Sequence, residues 1–260
     1  GYAQHPDHGD GVLQGQQGGA FGLRARRWTD LAVLGATHRL AGGVDLRVDS
    51  LDQWEQGIEP DGSAWERRID AGVQQGSAGA WGSIQLHPWP WLELEPGLRA
   101  ELLGVRLLRR IDDDGQVVIT PAPAMSWAPV LAPKARAVLL PQGALSLFVS
   151  YGRGFRSPEA RGVEDGDRAP VSIADTEELG LRWEPAAGVE LTLVGFHTTV
   201  GNELIFDHTA ARFLSSGSTR RLGGEALAGA ELLPWLRSEL EITWTDGRYQ
   251  ATGEPLPYAP

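Results

Sequence analysis

The feature that most restricts how this chain folds is strict two-residue alternation of apolar and charged residues, because successive side chains on a strand point to opposite faces. Val44, Leu46 and Val48 alternate with Asp45, Arg47 and Asp49. Leu92, Leu94, Leu98, Ala100 and Leu102 stand against Glu93, Glu95, Arg99 and Glu101. Leu179, Leu181 and Trp183 oppose Glu178, Gly180 and Arg182; Val189, Leu191 and Leu193 alternate with Glu190 and Thr192; and Leu240, Ile242 and Trp244 alternate with Glu239, Glu241 and Thr243. A helix of period 3.6 would scatter these charges around its surface, so the alternation predicts strands.

Helices are further disfavoured by 34 Gly and 17 Pro, which interrupt any long helical stretch. The chain reads as an antiparallel, up-and-down all-β protein of about ten strands. The predicted spans are 20–40, 44–57, 69–86, 91–110, 117–130, 144–155, 176–184, 189–206, 211–233 and 238–250. Many exceed the usual strand length of about 5–6 residues. Ala41-Gly42-Gly43, His87-Pro88-Trp89-Pro90 and Glu184-Pro185-Ala186-Ala187-Gly188 read as compact turns. Longer polar links are expected at 58–68, 112–116, 156–175, 207–210 and from 251 onward, so one end of the assembly should be loop-rich. The segment 131–143 breaks this rhythm, since a short turn is due there and the sequence reads as a long connection.

Charge and composition close off several functions. Twenty-three basic and 34 acidic residues leave a net charge of −11, which offers nothing to a phosphate backbone, so a nucleic-acid partner is not expected. The absence of Cys removes disulfides, thiolate metal sites and cysteine nucleophiles. No Gly-x-Ser-x-Gly elbow occurs, and Gly152-Arg153-Gly154-Phe155-Arg156 lacks the lysine of a phosphate loop. An enzyme is not expected, and no catalytic residue, metal or cofactor is assigned. No run of about 18 apolar residues exists to form a membrane helix, which leaves a membrane barrel open.

Alternation alone does not tell a soluble sandwich, whose apolar face meets a second sheet, from a barrel, whose faces meet lipid and lumen. Trp89, Trp91 and Trp235 fall at predicted tight turns and Trp183 beside another, which suits either an interfacial girdle or caps on a soluble core.

Specific phrases then bear on that choice. Pro121-Ala-Pro-Ala-Met-Ser-Trp-Ala-Pro129 precedes Leu145-Ser-Leu-Phe-Val-Ser-Tyr-Gly-Arg-Gly-Phe-Arg-Ser-Pro-Glu159. The stretch from Tyr151 to Pro158 resembles the barrel of TonB-dependent outer-membrane receptors, in which a strand ending Tyr-Gly-x-Gly-Phe-Arg-x-Pro runs into a long extracellular loop. Asp175-Thr-Glu-Glu-Leu-Gly-Leu-Arg-Trp183 resembles the family's strand carrying Glu-x-Gly, residues 189–206 the next strand with its inward Phe, and Gly223-Gly-Glu225 its Gly-x-Glu phrase. The order and spacing agree over about 121–260, while the first 120 residues match in rhythm only. Pro255-Leu-Pro-Tyr-Ala-Pro260 resembles an extracellular phrase that lies several strands before the barrel's end.

The resemblance implies that residues 1–260 are part of a larger transmembrane β-barrel in a bacterial outer membrane. The amino-terminal plug, with its TonB-contacting box, and the last strands are expected outside these residues. It implies active import of a scarce nutrient, foremost a ferric siderophore or similar metal chelate, with an extracellular small-molecule ligand, the TonB complex and outer-membrane lipid as partners. A soluble carbohydrate-binding sandwich and a passive porin remain the alternatives. Within that frame Arg153 and Arg156, flanking Phe155, are candidates for a cationic rim, though structural pairing with acidic neighbours such as Glu159, Glu164, Asp165 and Asp167 is the favoured account of them, since charged networks line wide barrels. His208, on a loop, is a further ligand-contact candidate, whereas His197 lies within a strand. The acidic runs 112–115 and 164–167 lack the spacing of a Ca²⁺ loop, and His5, Asp7, His8 and Asp10 define no coordination geometry.

Overall fold

A computed structural model of the chain describes residues 11–33, 35–111, 117–119, 125–156, 171–201, 203–207, 212–215 and 217–256. The described residues form strands and connections, with no helix. The strands are β1 (Gly11–Val33), β2 (Ala36–Ile58), β3 (Ala64–Trp89), β4 (Leu92–Ile111), β5 (Val117–Ile119), β6 (Ser126–Leu139), β7 (Leu145–Arg156), β8 (Ser172–Ala186), β9 (Val189–Gly201), β10 (Leu204–Asp207), β11 (Arg212–Ser215), β12 (Thr219–Leu233) and β13 (Leu236–Tyr249).

Ten of them pair antiparallel in the order β1-β2-β3-β4-β6-β7-β8-β9-β12-β13, with β5 folded back on β4. β10 and β11 form a separate hairpin in the link between β9 and β12. Among the described residues, elements touch along sheet neighbours, and no second sheet covers a face of the ten-stranded path. That arrangement removes the sandwich alternative, which needs two facing layers.

Tight turns and long links alternate as the rhythm of the sequence suggests, with several boundaries moved. The first hairpin turns at Gly35, whose φ of +78° suits a residue without Cβ, and not at 41–43. Gly42 and Gly43 sit inside β2 because Gly43 is overlain by Trp81 of β3, so these glycines serve packing instead of a turn. The segment 131–143, expected as a connection, continues β6 to Leu139 and turns only at Leu140–Ala144, which restores the alternation. The expected strand 117–130 is two elements, β5 and β6, and the outer parts of 189–206 and 211–233 belong to the β10/β11 hairpin.

Successive hairpins are also displaced in one direction along the register. β8 continues to Ala186 past Trp183, the partner of Leu145 where β7 begins. β12 continues to Leu233 past Ala230, the partner of Val189 where β9 begins. A sheet that closes into a tilted barrel needs this stagger.

The register sorts residues onto two faces. One transverse row runs Leu147, Leu181, Leu193, Ala226, Ile242 across β7 to β13, and the rows on either side, two residues away, are Leu145, Trp183, Leu191, Ala228, Leu240 and Val149, Leu179, Gly195, Gly224, Trp244. The interleaved rows on the other face are Ser146, Arg182, Thr192, Leu227, Glu241 and Phe148, Gly180, Val194, Glu225, Thr243. One side of the wall is therefore apolar and the other mixed and polar.

Two of the sequence phrases acquire a physical reason here. On the polar face the ring of Phe148 lies over Gly180 of the Glu-x-Gly phrase, and the ring of Phe196 lies over Gly223 of the Gly-x-Glu phrase, so close that a Cβ at either glycine would overlap the ring. Aromatic cover of a cross-strand glycine shields backbone that would otherwise be bare. Gly223→Val is expected to destabilise the folded wall by about 1–3 kcal/mol through overpacking, with Phe196→Ala added to it recovering part of the loss. Denaturant titration of the lipid-reconstituted protein measures both.

Candidate functional site

Polar chemistry is concentrated on one face, at three levels between the tight turns and the loops. Nearest the turns, Arg182 pairs with Glu184 at 2.6 Å and approaches Glu190 at 3.6 Å, and Arg237 pairs with Glu190 and Glu239, each at 2.8 Å. At the middle level Asp45 receives Arg24 from β1 at 2.5 Å and Arg99 from β4 at 2.7 Å, and Arg99 also holds Glu101 at 2.5 Å. Gly79 of β3 lies beneath this network, and a Cβ there would strike Glu101 and Arg99, which is why the intervening strand carries no side chain at that position. Both levels are internally compensated, as expected of groups that brace a wall.

At the loop end two features differ from this pattern. The first is a recess of about 460 Å³ over β1 to β4, lined among others by Gln16, Leu51, Val73, Gln75, Ser77 and Val105. Val73 and Val105 are each 1% exposed and pack with Ala71 and Leu107, an apolar patch on the otherwise polar face.

The second is a cluster around Glu203, in the link after β9. Arg221 donates to it from Nη2 at 2.6 Å and from Nη1 at 3.1 Å, and the hydroxyl of the fully buried Thr219 donates to the same carboxylate. Burial works against the charge of Glu203, but the hydrogen bonds from Arg221 and Thr219 and the charges of Arg221 and Arg156 outweigh it and hold its pKa below the ordinary glutamate value. A carboxyl with a lowered folded-state pKa stabilises the fold at neutral pH and loses that contribution as pH falls through the lowered value. The link between β9 and β12 is therefore expected to resist proteolysis at neutral pH and to lose that protection on acidification as Glu203 takes up its proton, and Glu203→Gln is expected to weaken it at neutral pH and flatten that response. Limited proteolysis against pH checks this.

The candidate residues divide. Arg153 and Arg156 are an odd number of positions apart on β7, so they leave the strand on opposite faces. Arg153 follows the parity of Leu145, Leu147 and Val149, beyond the apolar rows, where it donates to Asp175 at 2.9 and 3.1 Å while the Tyr151 hydroxyl donates to the same carboxylate at 2.6 Å. The acidic partner is thus Asp175, directly across in register. Arg156 is on the polar face within electrostatic reach of Glu203. His208, the runs 112–115 and 164–167, and the His5–Asp10 group lie outside the described residues. Among the described residues, no group of three or more His, Asp or Glu is placed to hold a metal ion.

Glu203, Thr219, Arg221 and the recess escaped the sequence reading, because each depends on register between strands. Parity could have separated Arg153 from Arg156 from the sequence alone.

Comparison with known proteins agrees with this geometry. The family model described as TonB-dependent receptor-like β-barrel matches residues 2–260. The ferric-catecholate import receptor Fiu of E. coli K12 superposes with a TM-score of 0.73 at 16% identity, covering 94% of this chain and 41% of that one. FpvA of P. aeruginosa, bound to heterologous pyoverdine, gives 0.73 at 14% identity, covering 98% of this chain and 36% of that one. The ferric citrate transporter FecA gives 0.72 at 16% identity, with 96% and 39% covered. This chain thus spans about two-fifths of the length of these structures. Among curated proteins, none matches it significantly.

Proposed function

The chain belongs to the TonB-dependent receptor family, in its β-barrel part, and from that membership we propose that it forms one side of a receptor wall that imports a metal chelate across a bacterial outer membrane. The observation that carries this reading is the division of faces. Ten strands that keep apolar side chains on one face and ion-paired polar ones on the other suit acyl chains outside and a hydrated lumen inside. The tight turns then lie at the periplasmic rim and the long links outside the cell. A plug amino-terminal to these residues and further strands beyond them complete the receptor, and TonB engages through that plug. The open edges at β1 and β13 favour such completion, since unpaired backbone groups are not tolerated in hydrocarbon.

Three of the structures that this one resembles are described as a ferric-catecholate import receptor, a pyoverdine complex with iron and a ferric citrate transporter, which favours a ferric chelate as cargo here. No bond in the cargo is made or broken; the chain's residues bind it and line its route. Arg156, inward at the loop end beside Glu203, is the favoured ligand contact of the two arginines. Arg153, engaged by Asp175 and Tyr151 on the outward face, would brace the wall above the lipid. His208 stays a proposed contact from the adjoining link.

Uptake of ⁵⁵Fe chelates by cells producing the full-length receptor tests the reading. Saturable uptake that disappears without TonB supports it; uptake independent of TonB favours a passive porin and overturns it. Arg156→Ala is expected to weaken chelate binding by roughly three- to tenfold, with Arg153→Ala within about twofold of the parent, as titration of chelate binding to the purified receptor would show.

A further inference from the structure

We propose that the recess over β1 to β4 is a binding site for an uncharged, amide- or hydroxyl-bearing portion of the cargo, a neutral ligand surface and not an anionic chelate centre. The proposal rests on the import reading above and adds the chemical class that this part of the wall accepts.

Position comes first. Ser77 and Val105 lie well over ten residues from the β3/β4 turn at Pro90–Trp91, beyond the roughly 9–11 residues that a strand needs to cross hydrocarbon. The recess therefore opens on the lumenal side near the outer mouth, where an incoming solute arrives first. Its volume, about 460 Å³, falls within the range of small-molecule sites, roughly 300–1,000 Å³. On the inward side of β1 the lining residues Gly18 and Ala20 add almost no side chain, which leaves the space open.

Its chemistry is that of a neutral site. Val73, Val105 and Leu103 form a buried apolar floor. Among the described residues the one cation in the lining, Arg47, is held by its neighbour Asp49 through hydrogen bonds of 2.8, 2.8 and 3.0 Å, so it offers an entering anion no uncompensated charge. What remains for recognition is uncharged. The Ser77 hydroxyl, half-buried above the floor, has no hydrogen-bond partner among the described residues. The Gln16 side chain accepts a long 3.4 Å bond from Gln53, and its amide nitrogen has no partner among the described residues. A hydroxyl and a carboxamide over an apolar floor match amides or hydroxyls on a partly apolar ligand, which they can both donate to and accept from.

The test uses the purified full-length receptor and two ferric probes, an uncharged trihydroxamate on a peptide backbone and ferric citrate, which is anionic and lacks amides. Ser77→Trp fills the recess and Ser77→Ala removes one hydroxyl. The expected result is binding of the trihydroxamate, weakened about tenfold or more by Ser77→Trp and roughly two- to tenfold by Ser77→Ala, with ferric citrate unaffected by either. Trihydroxamate affinity unchanged in both variants, or sensitivity confined to ferric citrate, overturns the recess while leaving the import reading intact. If the parent receptor binds neither probe and TonB-dependent iron uptake is also absent, the import reading falls and the recess proposal with it. If uptake is TonB-dependent but the trihydroxamate is not bound, only the recess proposal falls.

Discussion

Leu193→Arg is expected to destabilise the folded receptor in lipid by about 2–4 kcal/mol, while Thr192→Arg, one residue away, is expected to change stability by less than about 1 kcal/mol. Leu193 lies in the middle apolar row, between Leu181 of β8 and Ala226 of β12, and only a few residues from the tight turn at Ala187–Gly188, near the middle of the stretch that faces hydrocarbon. A guanidinium there must either lose its hydration or drag water and headgroups inward. Thr192 belongs to the interleaved row with Arg182, Leu227 and Glu241, where water and acidic groups receive a cation. Folding into lipid vesicles with denaturant titration measures both variants. Equal costs at the two positions would contradict the assignment of the faces.

The second large effect belongs to the network at the middle of the lumenal wall. Arg99→Ala is expected to destabilise the receptor by about 3 kcal/mol, because it leaves Glu101, 6% exposed, with no cation and leaves Asp45 with Arg24 alone. The greater part of that loss is the burden of an unpaired buried carboxylate, so adding Glu101→Gln to Arg99→Ala is expected to recover most of it. The same denaturant titration in vesicles distinguishes this from a simple loss of packing, which the second substitution would not repair. Asp45→Asn is expected to cost less, since Arg24 is largely exposed and readily hydrated.

The two effects arise from opposite sides of one wall, and they differ in how far the residues announced them. Leu193 was legible, because alternation with Glu190 and Thr192 marks its face whatever its neighbours are. The Arg99 network was not. Arg24, Asp45, Arg99 and Glu101 come from three strands, and only the register across β1, β2, β3 and β4, with Gly79 left bare between them, brings them together. Strand ends were similarly hidden at Gly42-Gly43. Glycine serves a turn and an aromatic overlay equally well, and the Trp81 ring that decides between them is far along the chain. Arg153 and Arg156 show an intermediate case: parity separates their faces, yet Asp175 and Glu203 as their surroundings follow from pairing with β8 and from the link after β9.

Local order was thus written into the amino-acid text: an all-β chain, two-sided strands, one end rich in links, and phrases at 151–158, 178–180 and 223–225 that resemble a receptor barrel. Alternation and turn chemistry act over a few bonds, so a linear reading can recover them. The tertiary structure decided that the described strands form a single staggered wall with no facing layer among them, that Arg156 and not Arg153 lies on its polar face, and that a recess opens among four strands. Those outcomes depend on register, and register joins residues that are distant in the chain through hydrogen bonds whose partners no local pattern specifies.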